Sequence, residues 1–122
     1  MKFTEEFVLE GKSFLYVDFS RINGKDDMVK SIEAVKSIIA KYPPNSLYTI
    51  TNVANFRFDS DLKEILADLT AHNKPYIKYA AIIGIDGVKK VMLNSILKIT
   101  GRTNMFFVFS KKQAIELLIQ KE

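Results

Sequence analysis

The residues best suited to chemistry lie at one predicted turn, where Asp59-Ser60-Asp61 follows an apolar strand over Leu47–Val53 and opens a helix. In an α/β sheet, binding sites lie outside the carboxyl ends of the strands, where loops meet helix N-termini. A serine hydroxyl at this place suits a regulatory phosphate, since a helix N-terminus favours negative charge. The alternative is that Ser60 only caps the helix, because the flanking aspartates would repel a phosphate. The sequence therefore predicts a regulatory turn made of Asp59, Ser60 and Asp61.

Other groups with catalytic or metal-binding potential are few and scattered. The chain has no cysteine and one histidine, which excludes thiol chemistry and histidine-rich metal clusters. His72 falls near a predicted helix C-terminus, where the helix dipole stabilises a surface histidine. Asp18 and Asp86 fall at strand ends, without the spacing of a calcium-binding loop. We therefore predict a non-enzymatic protein with no catalytic residues, no metal site and no cofactor.

The predicted third helix, Val88–Thr100, carries more apolar residues than one core-facing stripe needs. With a step of about 100° per residue, four apolar residues form a compact core stripe. These four are Val88, Met92, Ile96 and Ile99. Leu93 and Leu97 fall off the stripe and are predicted to be partly exposed among basic side chains. The ligand or membrane surface predicted on this helix is Lys89, Lys90, Leu93, Leu97, Lys98 and Arg102.

The charge around this helix is strongly positive. From Lys74 to Arg102 the chain has six basic residues and one acidic residue. A basic helix with extra apolar residues can lie on an anionic membrane surface or dock on an acidic protein partner. The alternative is a helix whose far side packs on a second subunit of a homo-oligomer or beneath the last helix. We expect no nucleic-acid partner, because the chain has neither a long basic run nor an RNA- or DNA-binding motif.

Length and composition indicate one globular domain over residues 1–122. The 122 residues are 48% hydrophobic, enough for a sizeable core, and the net charge of +4 permits an acidic partner without demanding one. No run of roughly 18 apolar residues is present, and the N-terminal segment MKFTEEFVLE lacks the apolar centre of a signal peptide. We expect a cytoplasmic protein, with attachment to the inner face of the membrane as the alternative.

The elements that must position these residues follow from hydrophobic periodicity and turn chemistry. The predicted strands are Phe7–Glu10, Ser13–Phe19, Leu47–Val53, Ile77–Ile85 and Met105–Phe109. The predicted helices are Asp26–Tyr42, Asp59–His72, Val88–Thr100 and a last helix from a capping box at Ser110 to about Lys121. The order is β-β-α-β-α-β-α-β-α. Because strands alternate with helices after the first hairpin, we predict an α/β fold with a mixed sheet of about five strands and four helices.

Five short segments resemble the SpoIIAA-like proteins, a STAS/Sec14-like branch of the STAS-domain fold. The segments are Tyr16–Ser20 (YVDFS), Tyr42–Ser46 (YPPNS), Thr51–Val53, His72–Tyr76 (HNKPY) and Gly84–Gly87 (GIDG). Together they span nearly the whole chain, and their order is more specific than any one of them. The resemblance implies a single STAS-type domain that is not an enzyme. Such domains bind proteins and sometimes nucleotides or lipids.

The resemblance also bears on the regulatory turn. In the sporulation anti-sigma-factor antagonist, an Asp-Ser-Ser-Gly turn is phosphorylated on its second serine, which breaks partner binding. Asp59 and Ser60 match the first two positions, Asp61 stands at the phosphorylated serine, and Leu62 replaces the glycine. The intact phosphorylation turn is therefore missing, although Asp61 could imitate the charge of the phosphate.

Two functions follow as expectations. The first is a binding or regulatory module for an unassigned protein partner, which uses the turn and the start of the third helix. The second is peripheral membrane, lipid or small-ligand binding through the third helix. If the ligand is a small molecule, we expect it to bind in a pocket between the third helix and the sheet, lined by Phe and Tyr.

Overall fold

The computed structural model describes residues 3–22, 24–54, 60–85, 87–101 and 103–121, with the side chains of residues 60–63, 88, 89, 92 and 100 outside that description. The strands are β1 (Thr4–Leu9), β2 (Lys12–Asp18), β3 (Leu47–Asn52), β4 (Ile77–Ile83) and β5 (Met105–Val108). The helices are α1 (Lys25–Ile39), α2 (Ser60–Asn73), α3 (Gly87–Thr100) and α4 (Lys111–Leu118). This arrangement confirms the predicted α/β fold and its order of elements.

The five strands form one mixed sheet in the order β1-β2-β3-β4-β5. β1 and β2 are antiparallel, whereas every other neighbouring pair is parallel. The hairpin turn is Glu10-Gly11, since Leu9 pairs directly with Lys12. Both turn residues have positive φ angles, 48° and 76°, as the two-residue turn that matches strand twist requires. The later strands are parallel because each is reached through a helix.

Alternation along the strands separates two cores. Leu15 and Val17 of β2 belong to the core beneath α1, α2 and α3, whereas Phe14 belongs to the core beneath α4. The connections β2-α1-β3, β3-α2-β4 and β4-α3-β5 all step in the same direction across the sheet. When each connection is right-handed, the three helices lie on the same face. The apolar residues of α1 that repeat at spacings of four, three and four are all buried. They are Met28, Ile32, Val35 and Ile39.

The face beneath α4 carries an aromatic row that crosses all five strands. The ring centroids of neighbouring members lie 5.2–6.2 Å apart, within the range of favourable ring pairs. The row is Phe7, Phe14, Tyr48, Tyr79 and Phe106. The hydroxyl of Tyr48 donates a 3.0 Å hydrogen bond to the carbonyl of Lys121 just beyond α4. These contacts hold α4 across the second face of the sheet.

Helix boundaries differ from the predictions by a few residues. α1 ends at Ile39 instead of Tyr42, because the chain turns before Pro43 is reached. α4 ends at Leu118 instead of Lys121. Its predicted capping box is confirmed, since the Ser110 hydroxyl accepts a 3.0 Å hydrogen bond from the backbone N–H of Gln113. The Gln113 side chain in turn accepts a hydrogen bond from the backbone N–H of Phe109, the residue before Ser110.

Candidate functional site

The carboxyl ends of β3 and β4 lie close together, at the end of the sheet where the sequence predicts a site. The backbone N–H of Val53 donates to the carbonyl of Ile83 at 2.9 Å. The N–H of Ala54 donates to the Asn52 side chain at 3.0 Å. Gly84 has a φ of +88°, and a Cβ at this position would lie 2.4 Å from the backbone nitrogen of Ala54. Glycine is therefore required where the two strand ends meet.

The predicted regulatory turn comes after β3 in the sequence and includes the first residues of α2. Asp59 and Asp86 lie outside the described residues. Ser60 and Asp61 are the first two residues of α2, and their side chains are also outside the description. The role of Asp59, Ser60 and Asp61 as a regulatory turn therefore stays a prediction.

The predicted orientation of α3 is wrong by roughly a quarter turn. Leu93, predicted to be partly exposed, is only 7% exposed and belongs to the core with Ile96. Leu97 is half-buried. Ile99, predicted to face the core, is 69% exposed. α3 packs against α2, and its Leu93 and Ile96 belong to one core cluster with residues of the sheet. These neighbours select the buried stripe, because the helix sequence alone offers two stripes of similar apolarity.

The rotation leaves a different apolar pair on the outside of the basic helix. Val91 is 73% exposed and Ile99 69%, and they lie about 12 Å apart along the helix axis. Lys90 and Lys98 are exposed on the same helix. At about 100° per residue, Lys98 lies about 20° from Val91 around the helix, whereas Lys90 lies about 100° from Val91 and opposite Ile99. We call these four residues, which span about half of the helix circumference, the α3 surface. It differs from the predicted surface in its apolar members, which are Val91 and Ile99 instead of Leu93 and Leu97.

The basic members of the predicted surface are described to different extents. The Lys90 Nζ lies 6.0 Å from the centre of the Phe107 ring, within the range of a cation–π contact. Lys98 is exposed in the last turn of α3. The side chain of Lys89 and the whole of Arg102 lie outside the described residues, so their part in the surface stays a prediction. Phe109, 92% exposed, follows β5 at the same edge of the sheet as Lys90.

A cavity of about 70 Å³ lies between the sheet and the three helices α1, α2 and α3. Its sheet side includes Thr49, Thr51 and Ala80 on the two central strands, and its helix side includes Leu66 and Leu93. Small side chains on central strands leave space that a larger aliphatic residue would fill. The cavity occupies the predicted position between the third helix and the sheet. Its described lining contains one aromatic residue, Phe19, among aliphatic, threonine, asparagine and methionine side chains, so a lining rich in Phe and Tyr stays a prediction.

Two deeply buried polar side chains face this cavity. Thr49 is 4% exposed and Asn73 is 8% exposed, and both line the cavity. One end of the Asn73 carboxamide lies 3.0 Å from Nδ1 of His72. The Thr49 hydroxyl and the other end of that carboxamide have no hydrogen-bond partner among the described residues. A buried polar group without a partner costs about 1–3 kcal/mol, so these groups mark a place that a ligand or water would satisfy.

Sequence reasoning misses the exposed pair Val91 and Ile99 and the threonine lining of the cavity. The pair is missed because the apolar pattern of α3 alone does not fix which side of the helix is buried. The lining has a signal in the sequence, since Thr49 and Thr51 fall at alternate positions of a largely apolar strand. Alternation alone assigns such residues to one face, but the space above that face depends on how α1, α2 and α3 pack together.

Two other titratable side chains, Asp18 and Lys36, make contacts that are structural. Asp18 accepts hydrogen bonds from the backbone N–H and the hydroxyl of Ser20 in the turn after β2. Lys36 of α1 hydrogen-bonds to Asp68 of α2, and this bond raises the pKa of Lys36. Among the described residues, no group of three His, Cys, Asp or Glu side chains could hold a metal ion. In the same part of the chain, no helix combines the length and apolarity that a membrane span needs.

Tyr42 links the end of α1 to the edge strand β1. Its hydroxyl donates a 2.5 Å hydrogen bond to Glu6, and burial, followed by this bond, raises the pKa of Tyr42 to about 12. Because the folded-state pKa lies above the ordinary value of about 10, the neutral phenol stabilises the fold fully below pH 10. This contribution is lost as the pH rises towards 12. We expect the free energy of unfolding to fall more steeply between pH 10 and 12 in the native chain than in Tyr42→Phe.

Urea denaturation at intervals across this pH range measures the difference directly. The other tyrosines and the lysines are the same in the native chain and in Tyr42→Phe, so the difference between the two stability curves isolates the contribution of Tyr42. Parallel stability curves for the two chains would show that Tyr42 is not linked to folding in this way.

Comparison of the chain with protein-family models, with curated proteins and with solved structures finds no match in any of the three.

Proposed function

We propose that this protein is a non-enzymatic binding module that docks an acidic protein segment on the α3 surface. The observation that carries the proposal is the exposure of Val91 and Ile99 on a helix that also presents Lys90 and Lys98. Apolar side chains contribute binding free energy when a partner buries them, whereas surrounding charges set partner choice and association rate. The α3 surface offers both kinds of contact.

The positive charge of this region favours an acidic partner. The chain between Lys74 and Arg102 has six basic residues and one acidic residue. Lys90 and Lys98 are exposed, so their charges are available to a partner. A second copy of the same chain is disfavoured, since a symmetric contact would bring the lysines of both copies together. Like charges brought together cost several kcal/mol at an interface.

The sizes of the exposed side chains favour a protein over a membrane. Helices that lie in a membrane interface present large residues such as Trp, Phe and Leu on their apolar face. Leu93 of α3 is buried in the core. The apolar side chains described as exposed on α3 are Val91 and Ile99, which are β-branched aliphatic residues and not the aromatic or leucine side chains of such helices. Membrane or lipid attachment remains the alternative that the experiment below distinguishes.

The predicted turn gives this module a means of regulation. Ser60 and Asp61 begin α2, the helix that follows β3 in the chain, and β3 is the neighbour of β4 in the sheet. α3 follows β4. The first turns of α2 and α3 therefore follow two neighbouring strands, which supports a common surface for regulation and docking. The resemblance to SpoIIAA-like proteins supports a regulatory role for Asp59, Ser60 and Asp61, with Asp61 supplying a permanent negative charge.

Selection from a library of short random peptides displayed on phage tests the proposal. We expect the native chain to enrich peptides that combine acidic residues with apolar anchors. The charge-reversed variant Lys90→Glu/Lys98→Glu should enrich basic peptides instead, since only the sign of the surface has changed. Both side chains are exposed, so this variant should fold normally, which circular dichroism checks.

Two results would contradict the proposal. Enrichment of the same peptides by both chains would show that the α3 surface does not select by charge. Sedimentation of the native chain with anionic lipid vesicles, lost in the charge-reversed variant and accompanied by no enriched peptide, would support membrane attachment instead.

A further inference from the structure

The cavity beneath α1, α2 and α3 is a second feature that the α3 surface does not use. It lies in the core, and two of its lining groups are the buried hydroxyl of Thr49 and the buried carboxamide of Asn73. Thr49 belongs to a central strand, whereas Asn73 is the last residue of α2. The cavity therefore has polar groups on both of its walls, and the rest of its described lining is mainly aliphatic.

From this geometry we propose that the cavity binds a small neutral molecule with a hydroxyl or carbonyl oxygen. The oxygen accepts hydrogen bonds from the Thr49 hydroxyl and from the amide end of Asn73 that His72 does not engage. The carbon atoms lie against aliphatic residues such as Leu66 and Leu93. Both polar groups then gain the partners that they lack among the described residues.

The size of the cavity limits the ligand. Its volume of about 70 Å³ is roughly half that of an engineered cavity of about 150 Å³ that binds benzene. A molecule of about four non-hydrogen atoms, or the end of a longer one, therefore fits. The described lining contains no ionisable side chain, so a charged ligand would be buried without a partner. Short-chain alcohols and ketones meet both conditions.

Water is the competing occupant. Buried waters typically make about three hydrogen bonds to polar groups, and Thr49 and Asn73 supply some of these. The two occupants differ in their response to side-chain changes, because water depends on the polar groups alone. An alcohol also depends on the space next to Ala80 and on the aliphatic walls. The experiment therefore varies hydrogen bonding and volume separately.

The probe is 1-propanol, and its binding is followed by nuclear Overhauser effects from its methyl group to the methyl groups of Leu66 and Leu93. We expect saturable contacts in the native chain. Thr49→Val keeps the shape and removes the hydroxyl, so binding should weaken about tenfold, the loss of roughly one hydrogen bond. Ala80→Val fills the cavity and should abolish the contacts. Thr4→Val, which removes a hydroxyl from β1 outside the cavity, should bind as the native chain does.

Protein stability separates these effects from misfolding. Thr49→Val removes a buried hydroxyl that has no hydrogen-bond partner among the described residues, so its melting temperature should equal or exceed that of the native chain. The proposal is overturned if 1-propanol makes no contact with Leu66 and Leu93. It is equally overturned if Thr49→Val and Ala80→Val bind the alcohol as well as Thr4→Val does, or if ordered waters on Thr49 and Asn73 persist at saturating alcohol. These outcomes leave the α3 proposal unaffected, since the cavity and the α3 surface use different residues.

Discussion

Gly84→Ala is expected to destabilise the fold by about 3 kcal/mol or more. The φ of +88° disfavours any side chain, and the added Cβ would lie 2.4 Å from the backbone nitrogen and 2.7 Å from the Cα of Ala54. Neither backbone atom can move freely, because the adjoining Val53 N–H is hydrogen-bonded to the carbonyl of Ile83. The variant must either strain this contact or separate the ends of β3 and β4. Urea denaturation measures the loss.

Gly87→Ala is the matched control for this prediction. Gly87 is the first residue of α3, and a Cβ there meets no atom within 4 Å. We expect its stability to equal that of the native chain or to rise by about 0.5–1 kcal/mol, because alanine restricts the unfolded chain more than glycine does. A Gly84→Ala variant as stable as Gly87→Ala would show that β3 and β4 do not meet as described.

Val91→Asp/Ile99→Asp is expected to weaken peptide binding by about 100-fold. Removing two apolar contacts of about 1.5 kcal/mol each gives this factor, and the new carboxylates also repel an acidic peptide. Because Val91 and Ile99 are largely exposed in the free chain, the substitutions should change the free energy of unfolding little. Titration of a selected acidic peptide by fluorescence anisotropy gives the affinities.

Val8→Asp provides the comparison for these substitutions. Val8 is 67% exposed, close to the exposure of Val91, but it lies on the edge strand β1. Compared with Val91→Asp alone, Val8→Asp adds the same charge and removes a similar apolar area at another place on the chain. An equal loss of affinity in Val8→Asp and in Val91→Asp would indicate a general charge effect and contradict docking on α3.

Much of the fold follows from local patterns that the sequence displays. Phe14 and Leu15 lie on opposite faces of the sheet, as the alternation of their strand predicts. Met28, Ile32, Val35 and Ile39 repeat with the helical period and are buried. The cap at Ser110 forms because its partner Gln113 is three residues away, a distance that the chain itself fixes. Such features depend on neighbours in sequence.

The features that could not be predicted depend on neighbours in space. Leu93 is buried and Ile99 is exposed, the reverse of the prediction, because α2 and the sheet decide which side of α3 is buried. The hydrogen bond between Tyr42 and Glu6 joins residues whose proximity requires the finished sheet. The cavity next to Thr49 is a property of three helices packed together. Sequence patterns thus identified the elements correctly, but they could not set how α3 is rotated or how completely the core is filled.

Site-specific photo-crosslinking in intact cells tests the central claim most directly. A benzophenone side chain replaces Val91 in one chain and the similarly exposed Val8 in another, and the crosslinked residues of the partner are identified by mass spectrometry. The α3 proposal predicts a discrete protein adduct at position 91, through an acidic segment, that is absent at position 8 and lost in Lys90→Glu/Lys98→Glu. Equal adducts at both positions, or lipid adducts alone at position 91, would contradict it.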